Sequence, residues 1–137
     1  MSIELVEHTA DTGIRVRAPD LTSLLSETVR GMFSLITDPG QVDAVQTRTV
    51  HVEGLDETDL LINTVREALY LFSAENWLVK DFVVDANRNF KVTGRMTGET
   101  LHDGKHTLRS EIKAVTYAGG EIQETPDGLE ITVIFDI

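Results

Sequence analysis

The sequence predicts an α+β fold in which two amphipathic helices pack on a largely antiparallel or mixed β-sheet. Two segments in the first half of the chain repeat apolar residues every three or four positions, as helices do. Most of the remainder alternates apolar and polar residues with period two, which is typical of strands with one buried face. The chain has 137 residues and no internal repeat or linker, so a single domain spanning residues 1–137 is expected.

The two helical segments carry recognisable start and stop residues. The first apolar stripe lies within residues 21–36, where Asp20 is placed to cap its start and Asp38-Pro39-Gly40 to stop it. The second stripe runs from Leu60 to Phe72, and Asp56 is its candidate N-cap. Each stripe is wide enough to bury one face of a helix against a sheet.

The alternating segments predict strands joined by hairpins in the later part of the chain. Phe90 is assigned to the apolar face of one of them. The stretches Ala86–Asn89 and Thr125–Gly128 are rich in Asn, Pro, Asp and Gly, which favours hairpin turns. The alternating segments lie around residues 14–18, 49–52, 90–96 and 129–137.

Composition restricts the classes of function. A formal net charge of -11 argues against bulk nucleic-acid binding, which relies on Lys and Arg to neutralise phosphates. The chain has no cysteine, so disulfides and thiolate metal sites are excluded and a reducing cytosol fits. The first residues resemble no signal peptide, and no apolar run approaches the roughly 20 residues that span a bilayer. A cytoplasmic protein without membrane contact is expected.

Three acidic groups attract attention at the two ends of the chain. Asp11 lies in a short segment between two apparent strands, where Gly13 permits a tight or left-handed backbone. The other two are the side-chain carboxylate of Asp136 and the terminal carboxylate of Ile137, at the end of the last alternating segment. The Ile137 side chain is expected to continue the apolar face of that segment. If these carboxylates met, their repulsion would be relieved by Ca²⁺ or Mg²⁺, which prefer oxygen ligands. An aspartate in such a turn more often hydrogen-bonds nearby amides, and the residues alone leave both interpretations open.

Five segments, in chain order, resemble motifs of the archease family. One such motif would be weak, but five in the same order over the whole chain are specific. Two positions depart from the family pattern: Thr12 stands where isoleucine is usual, and Ala118 stands where a histidine often follows the tyrosine. The five segments are His8-Thr9-Ala10-Asp11, Leu35-Ile36-Thr37-Asp38, Leu60-Leu61-Ile62-Asn63 leading to Glu67-Ala68-Leu69-Tyr70-Leu71-Phe72, Glu111-Ile112-Lys113-Ala114-Val115-Thr116-Tyr117 and Val133-Ile134-Phe135-Asp136-Ile137.

The resemblance implies a function and a site. Members of the family assist the RNA ligase that seals tRNA exon halves, by promoting its guanylylation with GTP and its turnover. The resemblance therefore implies that this protein is a non-catalytic activator whose partner is the tRNA-splicing RNA ligase. It also implies a divalent-metal site, for Ca²⁺ or Mg²⁺, formed by Asp11, Asp136 and the terminal carboxylate of Ile137.

A second group of polar residues lies between residues 102 and 113. The spacing of His102 and His106 would suit zinc only on a helix, and Gly104 favours a loop instead. Asp103, His106 and Lys113 match positions in the family's loop and strand, which implies contact with a partner or a phosphate group. A solvated or salt-bridged lysine is the plain alternative for Lys113.

Two other classes of function stay open on the sequence. A stand-alone metal-dependent hydrolase could use the same carboxylates to activate water, although no obvious general base or nucleophile accompanies them. A chaperone-like protein-binding module with no metal role is the other alternative.

Overall fold

The computed structural model describes residues 1–8 and 11–137, and for residues 7 and 8 it describes the backbone alone. Within these residues the chain forms eight strands and two α-helices, which confirms the predicted α+β fold. The elements are β1 (Ser2–His8), β2 (Asp11–Ala18), α1 (Leu21–Ile36), β3 (Gln46–Glu53), α2 (Glu57–Glu75), β4 (Trp77–Arg88), β5 (Lys91–Thr100), β6 (Ala114–Thr116), β7 (Gln123–Thr125) and β8 (Gly128–Asp136).

Both helices begin at the predicted caps. The Asp20 side chain accepts a hydrogen bond from the Ser23 N–H at 2.8 Å, and Asp56 accepts one from the Asp59 N–H at the same distance. These bonds satisfy amide groups that have no partner inside the helix. Helix α2 ends where Asn76 adopts a left-handed backbone with φ of 53°, the usual geometry of a helix C-terminus.

The strands divide into two sheets, a division that the sequence did not predict. The larger sheet has the order β1-β2-β8-β6, with β7 also paired to β8, and the smaller sheet has the order β3-β5-β4. Every strand pair within the described residues is antiparallel. Both sheets are therefore antiparallel within the described residues, and the mixed arrangement that the prediction also allowed is not found there.

The two helices join the sheets through one apolar core. Helix α1 contacts β2 of the larger sheet and β4 of the smaller one, and α2 contacts β3, β4 and β6. Trp77, Phe82 and Phe135 are fully buried within this core. In the described chain, α1 and α2 do not combine the length and apolar character that a bilayer-spanning helix requires.

One hairpin turn lies two residues later than predicted. Strand β4 continues to Arg88, and the turn is made by Asn89 and Phe90, with φ of 54° and 58°. Two left-handed residues match the right-handed twist of the flanking strands, which is why short hairpins favour them. The assignment of Phe90 to a strand face is wrong: it lies at the hairpin tip, 44% exposed, in a conformation that costs a non-glycine residue roughly 1–2 kcal/mol. The other predicted turn, at Thr125–Gly128, is confirmed between β7 and β8.

Candidate metal centre at the ends of two neighbouring strands

The pairing of β2 with β8 brings the two predicted aspartates together. Asp11 lies directly opposite Asp136, and the antiparallel register continues to the pair of Ala18 and Leu129. Side chains that are directly opposite in an antiparallel pair share a face, with Cβ atoms about 4.5–5.5 Å apart. Two acidic side chains from opposite ends of the sequence therefore occupy one end of one sheet.

The aspartate pair lies on the sheet face that points away from the helices. On β2, Ile14 and Val16 are buried in the core, so by strand alternation Asp11 shares the other face with Arg15 and Arg17. On β8, Phe135 is fully buried, and Asp136 is exposed on the opposite side. The apolar contacts of these strands hold the carboxylates in position without covering Asp136.

The Asp11 side chain has a buried acceptor atom that differs from the other buried polar groups. Its Oδ1 atom is buried and has no hydrogen-bond partner among the residues that the structure describes. A buried acceptor without a partner typically costs about 1–3 kcal/mol, and more when it is charged. A hard divalent cation prefers carboxylate oxygens of this kind, so the donor set fits Ca²⁺ or Mg²⁺.

Ile137 follows directly on this pair. Strand β8 ends at Asp136, and Ile137 is 48% exposed, so the expectation that it continues the buried apolar face is wrong. In the described part of the chain, no group of three or more His, Asp or Glu side chains is gathered for a metal ion. Ca²⁺ and Mg²⁺ commonly complete their coordination with other oxygen donors, including carbonyls and water.

The backbone around Asp11 differs from the predicted turn. Asp11 is the first residue of β2 and its backbone pairs with that of His8 on β1, whereas Thr9 and Ala10 of the motif lie outside the described residues. Gly13 is an ordinary strand residue rather than a left-handed one. A Cβ at Gly13 would lie 2.6 Å from the carbonyl oxygen of Val133. Glycine is therefore required there by the close approach of β2 to β8.

Lys113 lies at the same strand end as Asp136. Its backbone N–H donates to the Asp136 carbonyl oxygen at 2.8 Å. Lys113 was predicted to lie in a strand, but it is the residue immediately before β6. The side chain is exposed and lines a shallow groove with Arg66 and Tyr70 of α2. Its role in contacting a partner or phosphate stays a prediction.

The structure places Asp103 and His106 apart from the aspartate pair. His106 is buried: its Nδ1 accepts from the His102 N–H at 3.0 Å, and its Nε2 lies 3.1 Å from Glu99 Oε2. This pattern puts the ring proton on Nε2, where it donates to the carboxylate. Asp103 is exposed in the adjoining turn. Of the two, Asp103 alone has a side chain open to a partner, and the predicted contact roles are not tested by these positions.

Sequence reasoning missed the buried carboxylate that organises this loop. Glu99 accepts hydrogen bonds from the Lys105 ammonium at 2.7 Å and from the Asp43 N–H at 2.7 Å, in addition to His106. The Lys105 hydrogen bond, followed by that of the Asp43 N–H, lowers the pKa of Glu99 to about 2 against the opposing effect of burial. Lys105 and His106 are close in sequence to Glu99, but no periodicity points to Asp43.

A second polar arrangement protects the free edge of β6. Arg66 donates to the Val115 carbonyl oxygen from Nε at 3.1 Å and from Nη2 at 2.9 Å, and its guanidinium lies 4.8 Å from the centre of the Tyr117 ring. The Tyr117 hydroxyl donates to Asp59, which lowers the pKa of Asp59 and raises that of Tyr117. Ala118, the departure from the family pattern, is exposed beside this arrangement.

The fold and the paired aspartates define a small α+β protein with a candidate cation site at one end of its larger sheet. The chain belongs to the archease family, because the model of the "Archease protein family (MTH1598/TM1083)" matches residues 3–137. The family resemblance inferred from the five motifs is thereby confirmed.

Relatives and solved structures agree with this assignment. The chain is 34% identical to a protein archease of Pyrococcus abyssi, with 91% of this chain and 90% of that protein covered. It is 30% identical to a protein archease of Sulfurisphaera tokodaii, with coverage of 98% and 97%. The solution structure of Methanobacterium thermoautotrophicum protein 1598 superposes with a TM-score of 0.84 at 28% identity, covering 98% of both chains. The crystal structure of an archease from Thermotoga maritima, described as a possible chaperone, shares the fold, with a TM-score of 0.67 at 19% identity over 96% of this chain and 94% of that one.

Proposed function

We propose that this protein is a non-catalytic accessory factor that activates a tRNA-splicing RNA ligase. It would promote the GTP-dependent guanylylation of the ligase and its turnover, with a divalent cation held by Asp11, Asp136 and the Ile137 carboxylate. The observation that carries the proposal is the buried Asp11 Oδ1, which has no hydrogen-bond partner among the described residues and belongs to the residue directly opposite Asp136. Membership of the archease family supports the choice of partner. The Thermotoga maritima protein has been described as a possible chaperone, which also fits an assisting role toward another protein.

The chain's own residues would act by position and charge. A bound Ca²⁺ or Mg²⁺ would neutralise the facing carboxylates and offer open coordination positions to an oxygen ligand. Asp11 and Asp136 would hold the ion on two strands whose register is set by the apolar core. Lys113 would add a positive point charge at the same strand end but beside α2, in the groove with Arg66 and Tyr70 rather than on the face of the aspartates, suited to a carboxylate or phosphate of the partner.

The arrangement favours assistance over independent hydrolysis. A hydrolase would need a general base within hydrogen-bond reach of the reacting water. His106 is one residue type suited to that role, but it is buried against Glu99 and both of its ring nitrogens are in hydrogen bonds within the protein. This placement supports an accessory function in which catalysis belongs to the ligase.

The direct test is the guanylylation of purified ligase by labelled GTP, followed over time with and without this protein. We expect wild type to accelerate label transfer and Asp11→Asn to do so poorly. Asp85→Asn is the matched control, because Asp85 is an exposed aspartate of the smaller sheet in an ion pair with Arg95. Equal stimulation by all three proteins would reject the proposed site. Turnover of RNA or nucleotide by the protein alone would favour the hydrolase.

Lys113→Ala is expected to fold normally and to stimulate the ligase about fivefold less, because one charged contact with the partner is worth about 1 kcal/mol. Circular dichroism and thermal melting check the fold, and the guanylylation assay checks function. Lys91→Ala is the control, since Lys91 is an exposed lysine whose nearest carboxylate oxygen, on Glu53, is 3.9 Å away. Full stimulation by Lys113→Ala would make Lys113 a solvated residue only.

Extending the chain beyond Ile137 is expected to weaken cation binding without abolishing it. The proposed ligand at Ile137 is its terminal carboxylate, and a peptide bond there replaces a negative oxygen by a neutral carbonyl that Ca²⁺ still accepts. Titration calorimetry on C-terminally and N-terminally extended proteins makes the comparison. Identical Ca²⁺ affinities would remove Ile137 from the site while leaving Asp11 and Asp136 in it.

A further inference from the structure

A second open site lies at the opposite end of the larger sheet. It is a groove of about 350 Å³ between the start of α2, the tip of the β4–β5 hairpin and the segment that leads into β8. Four of its lining residues are acidic, and none of those described is Lys or Arg; the acidic ones are Asp56, Glu57, Glu121 and Glu124. We call this site the Phe90 groove, after the aromatic residue in its wall.

The groove also has an apolar wall. Ile122 and Leu129 are partly buried against the core and line it together with Phe90. Phe90 itself is 44% exposed. Apolar side chains next to several carboxylates are the components of a surface that accepts both a cationic and an apolar group.

The backbone of Phe90 indicates that its side chain is not there for the fold. Phe90 has φ of 58° at the second position of a two-residue turn, where glycine is the favoured residue. Its carbonyl oxygen accepts the Gly54 N–H at 2.9 Å, a bond that any residue could make. A bulky residue that is half exposed and held in an unfavourable backbone conformation motivates a search for its function.

We propose that the Phe90 groove is a docking surface for a lysine- or arginine-rich protein segment that also carries an apolar side chain. The basic groups would face the four carboxylates, and the apolar group would pack on Phe90 and Leu129. No Lys or Arg follows Lys113 in the sequence, so the segment that supplies Glu121 and Glu124 carries no compensating charge. The positive end of the α2 dipole amounts to roughly half a charge, which leaves the acidic side chains dominant.

The groove is separate from the candidate metal centre. Leu129 pairs with Ala18, whereas Asp136 pairs with Asp11 at the other end of the same two strands. At about 3.3 Å per residue, the two sites lie roughly 23 Å apart along β8. Docking at the groove therefore depends on neither the cation nor the proposed activation of a ligase, and each can be tested without the other.

The experiment uses a short fluorescent peptide rich in lysine and arginine with a central leucine, and follows its anisotropy as the full-length protein is added. We expect saturable binding that weakens as salt is raised, because salt screens exposed charges. A peptide with glutamate in place of its basic residues should not bind, and one with serine in place of leucine should bind more weakly. Asp11→Asn should bind the peptide as wild type does.

Phe90→Gly is the informative variant. It removes the side chain and relieves the backbone conformation, so it should melt at the same or a higher temperature while binding the peptide about tenfold more weakly. Glu121→Gln should weaken binding about threefold and reduce its salt dependence. Glu111→Gln, which removes an exposed carboxylate outside the groove, should match wild type.

Three outcomes would overturn the proposal. The first is no peptide binding at low salt, and the second is equal binding by wild type and Phe90→Gly. The third is self-association in sedimentation that Phe90→Gly abolishes while the peptide fails to bind, which would assign the groove to a second copy of the chain.

Discussion

Asp11→Asn is expected to weaken Ca²⁺ or Mg²⁺ binding at least about tenfold, and Asp136→Asn to do the same, with little change in fold. Each substitution removes one of two facing carboxylates that the strand register holds opposite each other. Without a cation these like charges oppose one another, so neutralising either one should leave the apo protein as stable or slightly more stable. Titration calorimetry of the two variants against wild type measures the loss.

The same pair should make stability depend on the cation. A ligand that binds only the folded state adds about 2.7 kcal/mol at a hundredfold excess over its Kd, so wild type should melt at a clearly higher temperature with cation present. Asp11→Asn should lose most of that increase, whereas Asp85→Asn, in the exposed ion pair with Arg95, should keep it. Wild-type melting that ignores both Ca²⁺ and Mg²⁺ would contradict the metal centre.

Glu99→Ala is expected to destabilise the protein by about 3 kcal/mol, the scale of breaking a buried charge pair. The substitution removes the acceptor shared by Lys105, His106 and the Asp43 N–H, so loop 101–106 loses its attachment to β5. Urea unfolding followed by circular dichroism measures the effect. Glu53→Ala is the control, because Glu53 is exposed and its pairing with Lys91 at 3.9 Å is weak. Equal losses in both variants would mean that the Glu99 cluster is not stabilising.

The pH dependence of the Glu99 contribution has a definite sign. Its pKa is lowered from an ordinary value of 4.5 to about 2 in the folded protein, so the unfolded chain takes up the proton first as the pH falls. The stability difference between wild type and Glu99→Gln should therefore be largest above about pH 5 and shrink as pH falls toward 2. A difference that stays constant over this range would show that the charge of Glu99 is not what matters.

The local elements were predictable because near neighbours determine them. The stripe within residues 21–36 and the caps at Asp20 and Asp56 identify both helices, and the structure places helix starts at those caps. A hairpin turn is less certain from sequence, since the Ala86–Asn89 stretch contains several turn-forming residues. In the structure, β4 extends through most of that stretch, and the turn is made by the two left-handed residues Asn89 and Phe90.

The candidate site shows a different dependence on the sequence. Asp11 and Asp136 could be grouped into one site only through resemblance to a family, because no local pattern relates residues at opposite ends of a chain. The pairing of β2 with β8 decided that they face each other, and that register follows from burying alternate residues of both strands in one core. The same burial left Ile137 half exposed instead of continuing the apolar face.

Patterns along the chain were enough to predict the family, the α+β class, the two helices and the acidic character of the C-terminal segment. Tertiary structure alone decided the division into two sheets, the Glu99 cluster with Asp43 and the groove beside Phe90. Periodicity and capping are determined by residues within a few positions of each other, so they can be recognised along the chain. Burial, strand register and the meeting of distant charges depend on which elements pack together, and that is determined by the whole core at once.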